Sequence, residues 1–285
     1  MGNTLKTALL LTSLTLLLML VGQALGRQQG MMIAFVVAGV MNFVAYFYSD
    51  KIALMSSGAK PVTREELPRV YEIVERLCGK TGLPMPKIYV IPTQSPNAFA
   101  TGRNPQHAAV AVTAGILDLL TDEELEGVLA HELGHVRNRD ILISSVAATV
   151  AVAITFLARM AMWGAILGGG NRGGDRNGNV FGALAMMILA PIAATMLNLA
   201  LSRSREFEAD RSGAALLGTG EPLARALEKI DASAKQIPMN IDPAYATAYI
   251  INPLSGRKIN FSHLFQTHPP TEERLARLRN QRPVR

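Results

Sequence analysis

The chain has 285 residues, 49% of them hydrophobic and 18% charged, with a formal net charge of +6. Its one cysteine, Cys78, excludes an internal disulfide and fits a reducing compartment. The positive charge is divided among loops without a basic, aromatic patch, which speaks against nucleic acid as a partner and for attraction to an anionic bilayer surface.

Four stretches free of charge set the organisation: residues 7–26, 28–49, 141–158 and 177–202. Each is near the roughly 20 apolar residues that a helix needs to cross a bilayer. The first could be a signal peptide with Lys6 as its basic flank. However, its apolar part is long, no A-x-A cleavage site follows, and a second run begins at once. A hairpin turning near Arg27 accounts for both runs. The other two, joined by the Gly-rich stretch 168–175, read as a second hairpin rather than as buried core helices. Lys6, Lys51, Arg137, Arg139, Arg203 and Arg205 flank the runs on one side, so the positive-inside rule places the polar segments 50–140 and 203–285 in the cytosol. Each polar segment follows an even number of crossings, so the two can form one domain. Residues 1–49 are then an N-terminal hairpin, and residues 141–202 a hairpin inserted into that domain. The spans hold only scattered polar residues such as Gln23, Asn42 and Asn198, too few to line a channel or transporter path.

Within the first polar segment, Leu67, Val70, Ile73, Val74 and Leu77 give residues 65–80 one apolar helical face, ended by Gly82 and Pro84. Residues 87–91, 97–101 and 107–113 read as strands. Thr121-Asp-Glu-Glu124 is a capping box that opens the next helix, with Leu125, Val128, Leu129 and Leu133 as its buried stripe.

That helix carries His131-Glu-Leu-Gly-His135. Positions i and i+4 share a helical face, so both imidazoles can meet one metal ion, and Glu132 between them can act as a general base on water. Two histidines and an acid at this spacing are a specific signal for zinc, in a chain with five histidines. The position of a third histidine in the metzincin pattern is held by Ile141, so the remaining ligand comes from elsewhere. The stretch 202–211 offers Glu206, Glu208 and Asp210. Glu206 and Asp210 share a face at i and i+4, which points to Glu206 as ligand and Asp210 as acceptor for a ligand histidine's free N–H. The competing reading is a solvated charged helix start beside a span.

Taken together, His131–His135, the Glu206-x-x-x-Asp210 pair after two spans, and Thr267-His-Pro-Pro-Thr-Glu-Glu-Arg-Leu275 resemble the HtpX-type heat-shock membrane proteases. These belong to a zinc-peptidase family that also includes the CAAX prenyl proteases. The resemblance extends to Asn97–Gly102 and Asn252–Gly256 and covers nearly the whole chain. It implies a mainly helical α+β protein, with a small β-sheet in a gluzincin-like zinc-protease domain and four transmembrane helices. It implies one zinc ion on His131, His135 and Glu206, with Glu132 as the base. His268 and Arg274 match the family's His-Pro-Pro and downstream Arg and are expected to act on the oxyanion. From the residues alone, they read as a turn and a surface arginine. Asn97, Ala98, Phe99 and Ala100 are expected to form a sheet edge that pairs with an extended substrate. The implied function is endoproteolysis of misfolded or membrane proteins at the cytosolic face of the bacterial inner membrane, as part of a stress response. A prenyl-protein protease is expected to carry more spans, and an inactive scaffold has no reason to keep Glu132.

Overall fold

The computed structural model describes residues 3–168, 203–234, 236–237, 249–251 and 269–280. The fourth apolar run, the stretch 252–256 and His268 lie outside the described residues. The first helix, α1 (Asn3–Ser56), folds back on itself. Arg27 takes a φ of 51°, and Asn42 Nδ2 donates to Leu11 O at 3.2 Å and to Thr15 Oγ1 at 2.8 Å. In a straight helix, Leu11 and Asn42 would be about 46 Å apart. The arms touch at Gly22 and Gly30. A Cβ on Gly22 would meet Gly30 O at 2.4 Å, so the approach requires glycine. By length and composition both arms, Asn3–Gln23 and Arg27–Ser56, can cross a membrane. Their apolar side chains face outward: Leu20, Ile33 and Val36 are 65%, 66% and 65% exposed, which a soluble core helix would not tolerate.

Four strands follow: β1 (Lys60–Pro61), β2 (Lys87–Ile91), β3 (Ala98–Gly102) and β4 (Ala108–Thr113). They form a mixed sheet in the order β1-β2-β4-β3, with β2 and β4 parallel and the other pairs antiparallel. Strand side chains alternate between faces. Ala98, Ala100, Val110 and Val112 join the core of the helices described next, whereas Phe99, Ala109 and Ala111 join a separate core with α1. The sheet therefore separates two layers, and β3 and β4 are buried throughout for that reason.

The helix expected over residues 65–80 is α2 (Pro68–Thr81). It begins later because Thr63 and Glu66 close their own turn, with Thr63 N–H donating to Glu66 Oε2 at 2.7 Å, and Pro68 then takes the first helical position. A short α3 (Ala114–Leu119) leads into α4 (Asp122–Arg137). Both bonds of the Thr121 capping box are present, with Thr121 N–H donating to Glu124 Oε2 at 3.0 Å. Such a cap is worth about 1 kcal/mol. Beyond α4 come α5 (Ile141–Gly168), which packs against α1 and β3, then α6 (Arg203–Leu217), α7 (Glu221–Ala234) and α8 (Thr271–Asn280).

Candidate metal centre

The helices α4 and α6 cross with almost no side chain between them. A Cβ on Gly213 would lie 3.0 Å from His131 N, and one on Gly134 would lie 3.3 Å from the Ala209 backbone. This closeness brings the first turn of α6 over the His131–His135 face of α4. His131 Nε2 lies 3.8 Å from Glu206 Oε2, and His135 Nε2 lies 3.6 Å from Glu206 Oε1. One ligand atom from each of the three residues falls within 4.8 Å of the others. His131 Nε2 is buried and has no hydrogen-bond partner among the described residues. Two imidazoles and a carboxylate converging in this way match the donor set of an open zinc site.

Each imidazole is turned toward the cluster by a carboxylate on its other nitrogen. His131 Nδ1 lies 2.8 Å from Asp210 Oδ1, and His135 Nδ1 lies 3.3 Å from Asp140 Oδ2. A carboxylate placed beside Nδ1 favours a proton there, the tautomer that leaves Nε2 to a metal. Asp140 is a functional candidate that sequence reasoning missed. It follows Arg139, which takes a φ of 57° and folds the chain back, so that Asp140 N–H donates to His135 O at 3.0 Å. An acid just past the end of a ligand-bearing helix was the available signal. Glu208 lies on the far side of α6, exposed and paired with Arg211 at 2.9 Å.

Arg274 is buried rather than at the surface, and each of its three nitrogens makes a hydrogen bond. Nε and Nη2 grip the two oxygens of Asp210 at 2.9 and 2.7 Å, and Nη1 donates to Ile250 O at 2.8 Å. In this structure Arg274 thus forms a fork on Asp210, a contact that the sequence pattern did not indicate. Burial would raise the Asp210 carboxyl, but Arg274 and His131 outweigh it and hold it at about 2. Burial would likewise lower the His135 imidazole, yet Asp140, Glu206 and Glu132 keep it up at about 9. Glu132 is 2% exposed, and burial pushes its carboxyl above the usual range, against the opposing pull of the histidines and the Ala100 backbone N–H.

The residues expected to meet substrate, Asn97 to Ala100, lie just before and within β3. β3 is the sheet edge, but Ile250 N–H already donates to Ala98 O at 3.0 Å, and Asn97 Nδ2 donates to Ile251 O at 2.8 Å. Phe99 is 2% exposed, faces the α1 layer and packs edge-on against Tyr249 at 5.0 Å. Alternation along the strand turns the Ala100 backbone to the same edge, where its N–H meets the Glu132 carboxyl.

The chain matches the model of peptidase family M48 over residues 64–282. It is 54% identical over 281 residues to a protein named Protease HtpX homolog from Desulforapulum autotrophicum, covering 98% of this chain and 90% of that one. It is 51% identical over 266 residues to a protein of the same name from Aquifex aeolicus, covering 92% and 87%. The crystal structure of S. mikatae Ste24p matches with a TM-score of 0.48 and 22% identity, over 97% of this chain and 64% of that one.

Proposed function

The chain belongs to peptidase family M48, and on that footing we propose that it is a membrane-associated zinc endopeptidase that cleaves misfolded or membrane proteins on the cytosolic side of the bacterial inner membrane. The observation that carries the reading is the convergence of His131, His135 and Glu206 beside a buried Glu132, with Asp210 and Asp140 behind the imidazoles.

In this reading His131, His135 and Glu206 hold one zinc ion, which when bound supplies Lewis acidity and makes water nucleophilic near neutral pH. Glu132 takes the water's proton and returns it to the leaving amine. Its raised proton affinity suits both halves of that transfer, because a carboxylate of ordinary affinity holds a proton poorly at neutral pH. The carbonyl of Ala100, on the same edge of β3, accepts from the backbone of an extended peptide, a contact that tolerates many sequences. Arg274 keeps Asp210 ionised and aimed at His131, a positioning role. His268 remains the candidate donor toward the oxyanion, on the strength of the His-Pro-Pro motif.

The proposed organisation keeps residues 1–49 as one transmembrane hairpin and residues 141–202 as a second, with 50–140 and 203–285 forming the gluzincin-like domain between them. Metal analysis of detergent-purified protein, paired with hydrolysis of an unfolded protein with and without a chelator, tests the reading. About one zinc per chain and chelator-sensitive cleavage are expected. Cleavage indifferent to the chelator would refute it.

A further inference from the structure

On the face of the sheet opposite α4, the last turns of α1, the start of β2 and the β3–β4 connection enclose a pocket of about 470 Å³. Its walls are of two kinds. Phe43, Phe47, Tyr48 and Leu54 supply an apolar, aromatic side, whereas Lys51, Lys87 and Arg103 supply a cationic rim, with His107 beside Arg103, opposed by one acid, Asp50. The Arg103 guanidinium lies 5.8 Å from the Phe47 ring centre, and its Nη2 lies 2.8 Å from His107 Nε2. Lys51 Nζ lies 5.1 Å from the Tyr48 ring centre. Among the described residues, none of Lys51, Lys87 and Arg103 forms an ion pair with a carboxylate. Three like charges around one cavity repel, and an anion between them relieves that repulsion.

The pocket's height follows from α1. About 20 helical residues span the hydrocarbon core of about 30 Å. A span beginning after the turn at Arg27 therefore leaves the hydrocarbon near Phe47 and Tyr48. Phe43 and Phe47, at that end of the span, are 55% and 41% exposed. The aromatic side thus sits at acyl-chain depth and the cations at headgroup depth, the order in which a phospholipid is itself built.

From this, and resting on the reading of α1 as a membrane hairpin, we propose that the pocket binds an anionic phospholipid of the leaflet facing the catalytic domain. Its phosphate sits among Lys51, Lys87 and Arg103, and its acyl chains lie along Phe43 and Phe47. Basic pockets at the membrane–water boundary have the chemistry for such headgroups.

The test uses the full-length, zinc-loaded protein in phosphatidylcholine vesicles with or without phosphatidylglycerol. Flotation reports insertion, and mass spectrometry after detergent extraction reports the lipid retained. Wild-type protein is expected to retain phosphatidylglycerol over phosphatidylcholine by on the order of tenfold. The Lys51→Gln/Lys87→Gln/Arg103→Gln variant should lose that preference, and the charge-matched Lys60→Gln/Lys80→Gln/Arg225→Gln variant should keep it. Inorganic phosphate should not displace the lipid. Equal loss in the two variants would reduce the effect to overall charge, and displacement by phosphate would make this a site for soluble anions; either overturns the proposal. If the triple pocket variant fails to bind zinc, and so to fold, Lys87→Gln alone is expected to lower the preference by about threefold, and an unchanged preference overturns the proposal. Wild-type protein that does not float with vesicles would overturn the hairpin reading, and the lipid with it.

Discussion

Glu132 is buried among charged groups, and burial outweighs the pull of the nearby histidines on its carboxyl. His131 and His135 are aimed away by Asp210 and Asp140, and burial favours the protonated carboxyl. Glu132→Gln keeps the shape and removes the base, so it should retain zinc and lose about 10²- to 10⁴-fold in kcat. Zinc content and peptide hydrolysis in one preparation check this, and substantial residual hydrolysis would remove the assigned role. Glu206→Ala should lose most of the metal, whereas Glu208→Ala, which disrupts only an exposed pair with Arg211, should keep it. The reverse pattern would overturn the ligand assignment. Arg274→Ala leaves Asp210 buried and ionised without its fork. Removing one partner of such a pair costs about 3–5 kcal/mol. Chemical denaturation in detergent should show that loss, and Arg274→Lys should recover only part of it, because a single ammonium cannot bridge both oxygens. A variant as stable as wild type would leave Arg274 free for another task.

At the scale of elements, the metal centre depends on how closely two helices approach. Glu206 is a short side chain on α6, and it reaches the α4 histidines because Gly134, Ala209 and Gly213 let the backbones almost touch. Gly213→Val places branched carbons where His131 N already stands within 3.0 Å of a Cβ. The expected result is displacement of α6 and at least about a tenfold loss of zinc affinity, comparable to loss of a ligand's supporting partner. Zinc competition titration with a chromophoric chelator measures it. Unchanged affinity would mean that the helix contact does not set the ligand register.

At the scale of the whole molecule, the membrane-side layer reaches the metal centre directly. Asn3 Nδ2, at the start of α1, donates to Asp140 Oδ1 at 2.8 Å, and Asp140 orients His135. Thr101 on β3 and Ser145 on α5 share a hydrogen bond of 2.7 Å. The sheet edge, the third apolar run and the outer support of a ligand are therefore tied together. Replacing residues 141–202 by a flexible linker should weaken zinc binding by about 10- to 100-fold, even if the product is soluble, because Asp140 loses its helix and α6 loses its tether. Unchanged zinc affinity in that protein would show that the catalytic helices hold their register alone.

The sequence by itself determined the features that depend on local spacing. Two histidines four residues apart share a helical face wherever that helix lies, and Thr121 with Glu124 caps it without outside help. Glu206 and Asp210 face one way and Glu208 another for the same reason. The hairpin of α1 was legible in two apolar runs divided by Arg27. The tertiary structure alone decided which side chains are spent on one another. The sequence does not reveal that Arg274 turns inward onto Asp210, 64 positions away, or that Tyr249–Ile251 covers β3 at Asn97 and Ala98. Nor does it reveal that Asp140 swings back to His135, because that needs a left-handed residue at Arg139. The physical reason is that hydrogen bonds and ion pairs join groups by distance in space. A one-dimensional pattern encodes periodicity and capping, but not which distant donor will saturate a buried acceptor first.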